Sequence, residues 1–157
     1  MSTVTAGCRI AIIGAGSVGS TCAYALLLRP IASDILLVDT DNTRLRAQVQ
    51  DLSDAAFLSN TKIHPSTPIQ AGQCNIIVIT AGAKSHGDES RRNLIDRNYL
   101  VLDNVIREMS PIRKDAVLLL VGGCVGLFCP EDERAPACPS HWVGYIFRLG
   151  EIEECIS

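Results

Sequence analysis

The stretch from Arg9 to Gly19, RIAIIGAGSVG, constrains this chain more than any other. An apolar run of strand length ends in three glycines spaced G-x-G-x-x-G, and the apolar positions of the following SVGSTCAYALLLR have helical spacing. The expected local structure is strand, tight turn, helix. In such a unit Gly14 permits the turn, Gly16 lets a pyrophosphate approach the backbone, and Gly19 lets helix and strand pack closely. The start of the helix then offers free N–H groups to an anion. A second strand, DILLVD, ends at Asp39, twenty residues beyond Gly19. A carboxylate there can hold the hydroxyls of an adenosine ribose and repel a 2′-phosphate, which favours NAD over NADP. The plainer alternative is that the glycines serve only a turn and Asp39 merely caps the next helix.

The pattern continues with a helix over DNTRLRAQVQDLSDAAFLS, a short strand near Lys62 to His64, and a strong strand in NIIVITAGAK. A long helical stretch from Ser90 to Met109 and the strand AVLLLV follow. Strands alternating with helices imply an α/β protein with a doubly wound parallel sheet covered on both faces. With 157 residues and 47% hydrophobic content, one core is the expectation rather than two. The expected strand order 3-2-1-4-5-6 leaves AVLLLV at an open edge if no sixth strand follows, and self-association is the expected consequence.

Other classes of function find little support. No apolar run, Ala116 to Val121 included, approaches the roughly 20 residues of a membrane span, and the N-terminus has no basic cluster with an apolar signal segment. No basic patch suggests a nucleic-acid partner, the net charge being -3. Seven cysteines, an odd number, of which Cys8, Cys22 and Cys74 stand in apolar surroundings, suit reduced thiols and a cytoplasmic location.

Together the blocks IIGAGSVG, LLVD, QDLSDA, VITAGAK and DESRRNLIDRN resemble the NAD-dependent L-lactate and malate dehydrogenases, over about Arg9 to Val121. DLSDA and ESR look more like the lactate branch. The resemblance implies a Rossmann-type cofactor domain, NAD as cofactor, and hydride transfer to or from C2 of a small 2-hydroxy or 2-keto acid. It carries Gly14, Gly16, Val18 and Gly19 onto the pyrophosphate turn, Asp39 onto the adenosine ribose, and Arg44 onto a nearby contact. Gly82 and Ala83 match the loop under the cofactor, and Lys84 stands where the family usually has Arg or Asn. Arg91 matches the arginine that polarises the substrate carbonyl; read alone, it is a solvated residue on the first turn of a helix. Ser85 falls where the family chooses its substrate, usually with Gln for lactate or Arg for malate. A hydroxyl cannot form the bidentate pair with a second carboxylate that Arg offers, so malate is disfavoured without lactate being established. His86 lies in a His-Gly-Asp triplet like that of the family's proton-relay histidine, but at the wrong place in the chain. The family also forms homo-oligomers.

After Val121 the resemblance stops. Gly122, Gly123 and Cys124 stand where the family has Asn-Pro-Val-Asp, and no match to the acid-base His or the carboxylate-binding Arg follows. The expected organisation is an incomplete cofactor domain over 1–123 and an irregular tail over 124–157 without a substrate domain. That tail holds three of the seven prolines and four of the seven cysteines. Cys124, Cys129, Cys138 and His141 match no common zinc spacing, and no metal site is expected. The tail does permit a family-like reading when its codons are shifted by one nucleotide, which points to a change of reading frame near Gly123. Three functions stay open: a lactate-type dehydrogenase at the level of the locus, an NAD-binding half-domain without catalysis, and a product with no stable fold.

Overall fold

A computed structural model describes residues 7–29, 31–83, 90–121 and 144–148, leaving aside the side chains of Leu58, Arg91 and 144–148. Its elements are β1 (Arg9–Ile13), α1 (Ser17–Leu27), β2 (Asp34–Val38), α2 (Asn42–Ala55), a 3-10 turn (Ala56–Leu58), β3 (Lys62–Pro65), α3 (Pro68–Ala71), β4 (Ile76–Ile79), α4 (Arg91–Met109), β5 (Val117–Val121) and β6 (Gly144–Arg148). The strands form one sheet in the order β3-β2-β1-β4-β5-β6. The first five run parallel, as the alternation of strands and helices predicts.

The alternating side chains of the strands divide the core into two layers. Ile10 and Ile12 of β1 and Ile35 and Leu37 of β2 point to the face covered by α1 and α2, where they meet Ala23, Leu27, Leu45 and Leu52. Ala11, Ile13, Ile77, Ile79, Leu118 and Leu120 point the other way, onto Ala71, Leu102 and Met109. Strands buried on both faces must read as continuous apolar runs, which is why RIAII, DILLV and IIVI show no polar alternation. Each of these large side chains contributes roughly 1.5–3 kcal/mol by leaving water. Burial also pushes the Cys22 and Cys74 thiols up from their ordinary range, so both stay protonated at neutral pH.

The helix starts are chemically distinct. Asp41 caps α2 by accepting from the backbone N–H groups of Thr43 and Arg44 at 3.0 and 3.1 Å. Thr67 and Gln70 form a capping box on α3, with Pro68 in its first turn. Ser90 accepts from Asn93 at the start of α4. Only α1, among these, begins without a side-chain cap.

Two features depart from the sequence reading. The short helix α3 was not expected, since its four residues are below the length at which periodicity can be read. The open edge expected at β5 is instead covered: β6 pairs with it antiparallel, from Val117↔Arg148 to Val121↔Gly144. The expectation of an irregular tail is therefore corrected over Gly144–Arg148, and the remainder of 122–157 lies outside the described residues. The run Gly-Tyr-Ile-Phe-Arg has the aromatic and β-branched character of strands, and its pairing satisfies backbone groups that β5 would otherwise leave to another chain. In an antiparallel ladder successive residues turn their N–H and C=O groups to opposite sides. Of the two substitutions Tyr145→Pro and Ile146→Pro, one should therefore break the ladder and the other only the outer edge. The disruptive one is expected to speed hydrogen exchange in β5 and to drive self-association in sedimentation; equal behaviour of both variants would show that β6 does not protect this edge.

Candidate functional site

Three strand ends meet at one level. Ile13 is in register with Val38 on one side and with Ile79 on the other, so Gly14, Asp39 and Thr80 follow side by side at the carboxyl ends of β1, β2 and β4. The chain proceeds from β1 outward through β2 to β3, then returns to β4 on the opposite side of β1. Such a reversal opens a crevice between neighbouring connections, the usual ligand position in open α/β sheets. A cleft of about 690 Å³ lies there, walled by Gly14, Gly16, Asp39, Arg44, Thr80 and Gly82 and by the α4 residues Val101 and Val105 among others.

The glycine turn is built for close approach. Gly14 has φ +108°, and a Cβ there would lie 2.8 Å from Thr80 Oγ1 and 3.0 Å from the Ala81 nitrogen. Its N–H donates to the Val38 carbonyl at 2.7 Å. A Cβ on Gly19 would lie well inside the Gly14 carbonyl oxygen, so α1 can cross β1 at this distance only with hydrogen at that position. Gly16 differs: nothing of the protein lies within 4 Å of where its Cβ would be. The space kept open at Gly16 serves no internal contact and fits a group brought from outside. Helix geometry leaves the N–H groups of Ser17, Val18 and Gly19 without intrahelical partners, and no side-chain cap or first-turn carboxylate competes for them. Aligned N–H dipoles at that end favour a phosphate. Val18 is half exposed beside them.

Asp39 stands next to this turn with its orientation fixed. One oxygen accepts from the Ala15 N–H at 2.7 Å and the other from the Asp41 N–H at 2.8 Å. Each carboxylate oxygen keeps a further acceptor position, suited to a pair of vicinal hydroxyl donors. Arg44 reaches back from α2 to Asp39 at 4.0 Å and to Asp41 at 3.3 Å. Two carboxylates against one guanidinium leave this corner negative, hostile to an added phosphate and tolerant of hydroxyls. These residues therefore fit a dinucleotide whose pyrophosphate lies on α1 and whose adenosine ribose lies at Asp39.

The structure brings Gly14, Gly16, Val18, Gly19, Asp39 and Arg44 together, with Gly82 on the facing wall and Ala83 next to it in the chain. Arg91 is the first residue of α4. Lys84 and Ser85 lie outside the described residues, as do His86 and the cysteines from Cys124 onward. Thr80 was missed by sequence reasoning. Its Oγ1 lies 3.0 Å from the Ile13 carbonyl oxygen and 3.1 Å from that of Gly14, so it ties β4 to the turn. A threonine closing a strand carries no mark of that role in the sequence. The same holds for Asn98, the buried polar residue of α4. Among the described residues no group of histidine, cysteine and carboxylate side chains is arranged to hold a metal, and no helix is long and apolar enough to cross a membrane.

The different surroundings of Gly16 and Gly19 give a direct test. Gly19→Ala is expected to cost on the order of 3 kcal/mol in urea unfolding, because the backbone of β1 and α1 must separate. Gly16→Ala should stay below about 1 kcal/mol, the difference between helix caps, while weakening dinucleotide binding. Comparable losses of stability in the two variants would contradict the assignment of Gly16 to a ligand.

Comparison with known proteins agrees with this geometry. Residues 8–130 match the family model described as lactate/malate dehydrogenase, NAD binding domain. L-lactate dehydrogenase A of Rhizopus oryzae is 47% identical over 135 residues, which are 86% of this chain and 42% of that protein. An L-lactate dehydrogenase of Clostridium botulinum is 39% identical over 118 residues, covering 74% of this chain and 37% of the relative. The chain thus spans about two fifths of the length of these relatives. Among solved structures, a lactate dehydrogenase from a Medee basin deep-sea metagenome superposes with a TM-score of 0.68 at 23% identity over 73% of this chain and 37% of its own. The minor L-lactate dehydrogenase of Enterococcus mundtii gives 0.67 at 20% identity, with the same coverage; both establish the shared fold. The chain belongs to the lactate/malate dehydrogenase family, of which it carries the NAD-binding domain.

Proposed function

We propose that this chain is the cofactor half of an L-lactate-type dehydrogenase, binding NAD in the cleft between the carboxyl ends of β1, β2 and β4. The observation that carries the reading is the combination of an uncapped α1 with space held open at Gly16 and an oriented carboxylate at Asp39. In this reading Gly14, Gly16, Val18 and Gly19 receive the pyrophosphate. Asp39 accepts from the ribose hydroxyls with Arg44 beside it, Gly82 lines the other wall, and Ala83 and Lys84 would contact the cofactor as their match to the family implies. NAD, when bound, supplies a hydride acceptor. Arg91 would polarise the carbonyl of a 2-keto acid, and Ser85 would stand at the substrate's distal end. With Ser85 in that position a malate-like substrate gains no bidentate partner, and lactate remains the favoured member of the 2-hydroxy acids.

The same reading makes the 157-residue polypeptide a binding module. It contains the cofactor half of the family's machinery, with no match to the acid-base His or the carboxylate-binding Arg in 124–157. The domain boundary is proposed at 123, and the change of reading frame near Gly123 is the proposed origin of the tail. Sequencing the transcript across the codons for Val121 to Val125 tests it directly: the shifted frame should stay open past Ser157 and encode a His-Gly-Asp triplet. An early stop there would defeat that origin.

Two solution experiments test the function. The chain should bind NADH more tightly than NADPH, and Asp39→Ser should narrow the gap by removing the charge that meets the 2′-phosphate; equal affinities in the unaltered chain would sink the assignment of Asp39. Pyruvate and NADH should give no measurable turnover with this polypeptide alone. The missing proton transfer and orientation commonly exceed a factor of about 10⁵, so turnover at an ordinary dehydrogenase rate would overturn the half-domain reading.

A further inference from the structure

Asn98 is a buried polar side chain in the body of α4, with 1% of its surface exposed. A buried amide needs partners for both its ends, and here one of them lies in a different segment. Its Oδ1 accepts from the backbone N–H of Ala83 at 2.8 Å, and its Nδ2 donates to the Leu94 carbonyl one turn earlier in α4 at 2.8 Å. Exchanging the amide's oxygen and nitrogen would set donor against donor and acceptor against acceptor, so the orientation is fixed by its neighbours. Gly82 passes so close that a Cβ there would stand 3.1 Å from Oδ1.

Thr80, Ala81 and Gly82 form one wall of the cleft, and they and the Ala83 that follows belong to no helix or strand. Ala81 and Gly82 face the cleft, and Thr80 holds their near end to the Gly14 turn. Their far end is held by Asn98. We propose that Asn98 is a positioning residue for the dinucleotide: by fixing the Ala83 N–H to α4 it sets the distance between the Ala81–Ala83 backbone and the glycine turn opposite. The inference rests on the cofactor reading of the cleft. A ligand confined to the adenosine end is anchored by Asp39 and Arg44, whose own partners, the Ala15 and Asp41 N–H groups and the Asp41 carboxylate, lie outside this wall. One that continues past the pyrophosphate must pass between the glycine turn and Ala81–Ala83. Removing the Asn98 amide leaves the Ala83 N–H without its acceptor and frees the wall to move, so the loss should fall on the longer ligand.

The test compares AMP with NADH by calorimetric titration of the full chain, unaltered and as Asn98→Ala and Asn98→Leu. The leucine variant retains volume while removing both hydrogen bonds. Both substitutions should weaken NADH about tenfold or more and leave AMP within about twofold, the former being the size expected for one buried hydrogen bond left unmade. A merely structural asparagine would weaken the two ligands alike, and a leucine variant that binds NADH normally would overturn the proposal. If neither variant folds, hydrogen exchange of the unaltered chain decides. The Ala83 amide should be protected although it lies outside regular structure, and fast exchange there would refute its attachment to Asn98. An unaltered chain that binds neither AMP nor NADH would defeat the cofactor reading itself, an outcome visible before any variant is made.

Discussion

The approach of α1 to β1 at Gly19 governs most of what this molecule can do. Because hydrogen alone fits between that helix and the Gly14 carbonyl, the first turn of α1 lies against the end of the central strand rather than a side chain's width away. This placement buries Ala23 and Leu27 against Ile10 and Ile12, and it sets the start of α1 directly after Gly16, which lines the cleft together with Asp39 and Thr80. Packing and recognition thus follow from one contact. With Gly16 as its cap, α1 forgoes roughly a few tenths of a kcal/mol of stabilisation when no anion is present, and a bound phosphate would take the same N–H groups.

Much of this was legible because it is local. RIAIIGAGSVG encodes its strand, turn and helix within eleven residues, and Asp39 is recognisable by its distance from the turn and its place at the end of an apolar strand. The buried strands could be read from their unbroken apolar character, and the parallel order from their alternation with helices. The contacts that complete the cleft were not legible, because they join distant segments through ordinary residues. Thr80 meets the Gly14 carbonyl across 66 positions, and Asn98 meets Ala83 across 15. Neither residue type announces such a partner. The four residues of α3 fell below any readable period, and its capping box became clear only with the geometry known.

The edge of the sheet teaches a related lesson. Gly144–Arg148 lies beyond the end of the family match at residue 130, and it nevertheless pairs with β5. Pairing of an exposed strand edge asks mainly for a short run of strand-forming residues, because the backbone supplies the hydrogen bonds. The side chains of Leu119 and Val121 on the α1–α2 face remain only partly buried, in contrast to Leu118 and Leu120 on the other. Protection of the backbone edge and burial of the strand's two faces are separate requirements, and at β5 the first is met more fully than the second.

A single dinucleotide site built from the turn at Gly14–Gly16, the start of α1 and Asp39 would leave a residue-level signature in solution. Titration of the isotopically labelled chain with NADH, followed through the amide resonances, tests it most directly. The largest shifts are expected on Gly14, Gly16, Ser17, Val18, Asp39 and Gly82, with the amides of β3 and β6 almost unmoved. Saturable binding whose shifts lie elsewhere, or an absence of shifts at millimolar NADH, would contradict it.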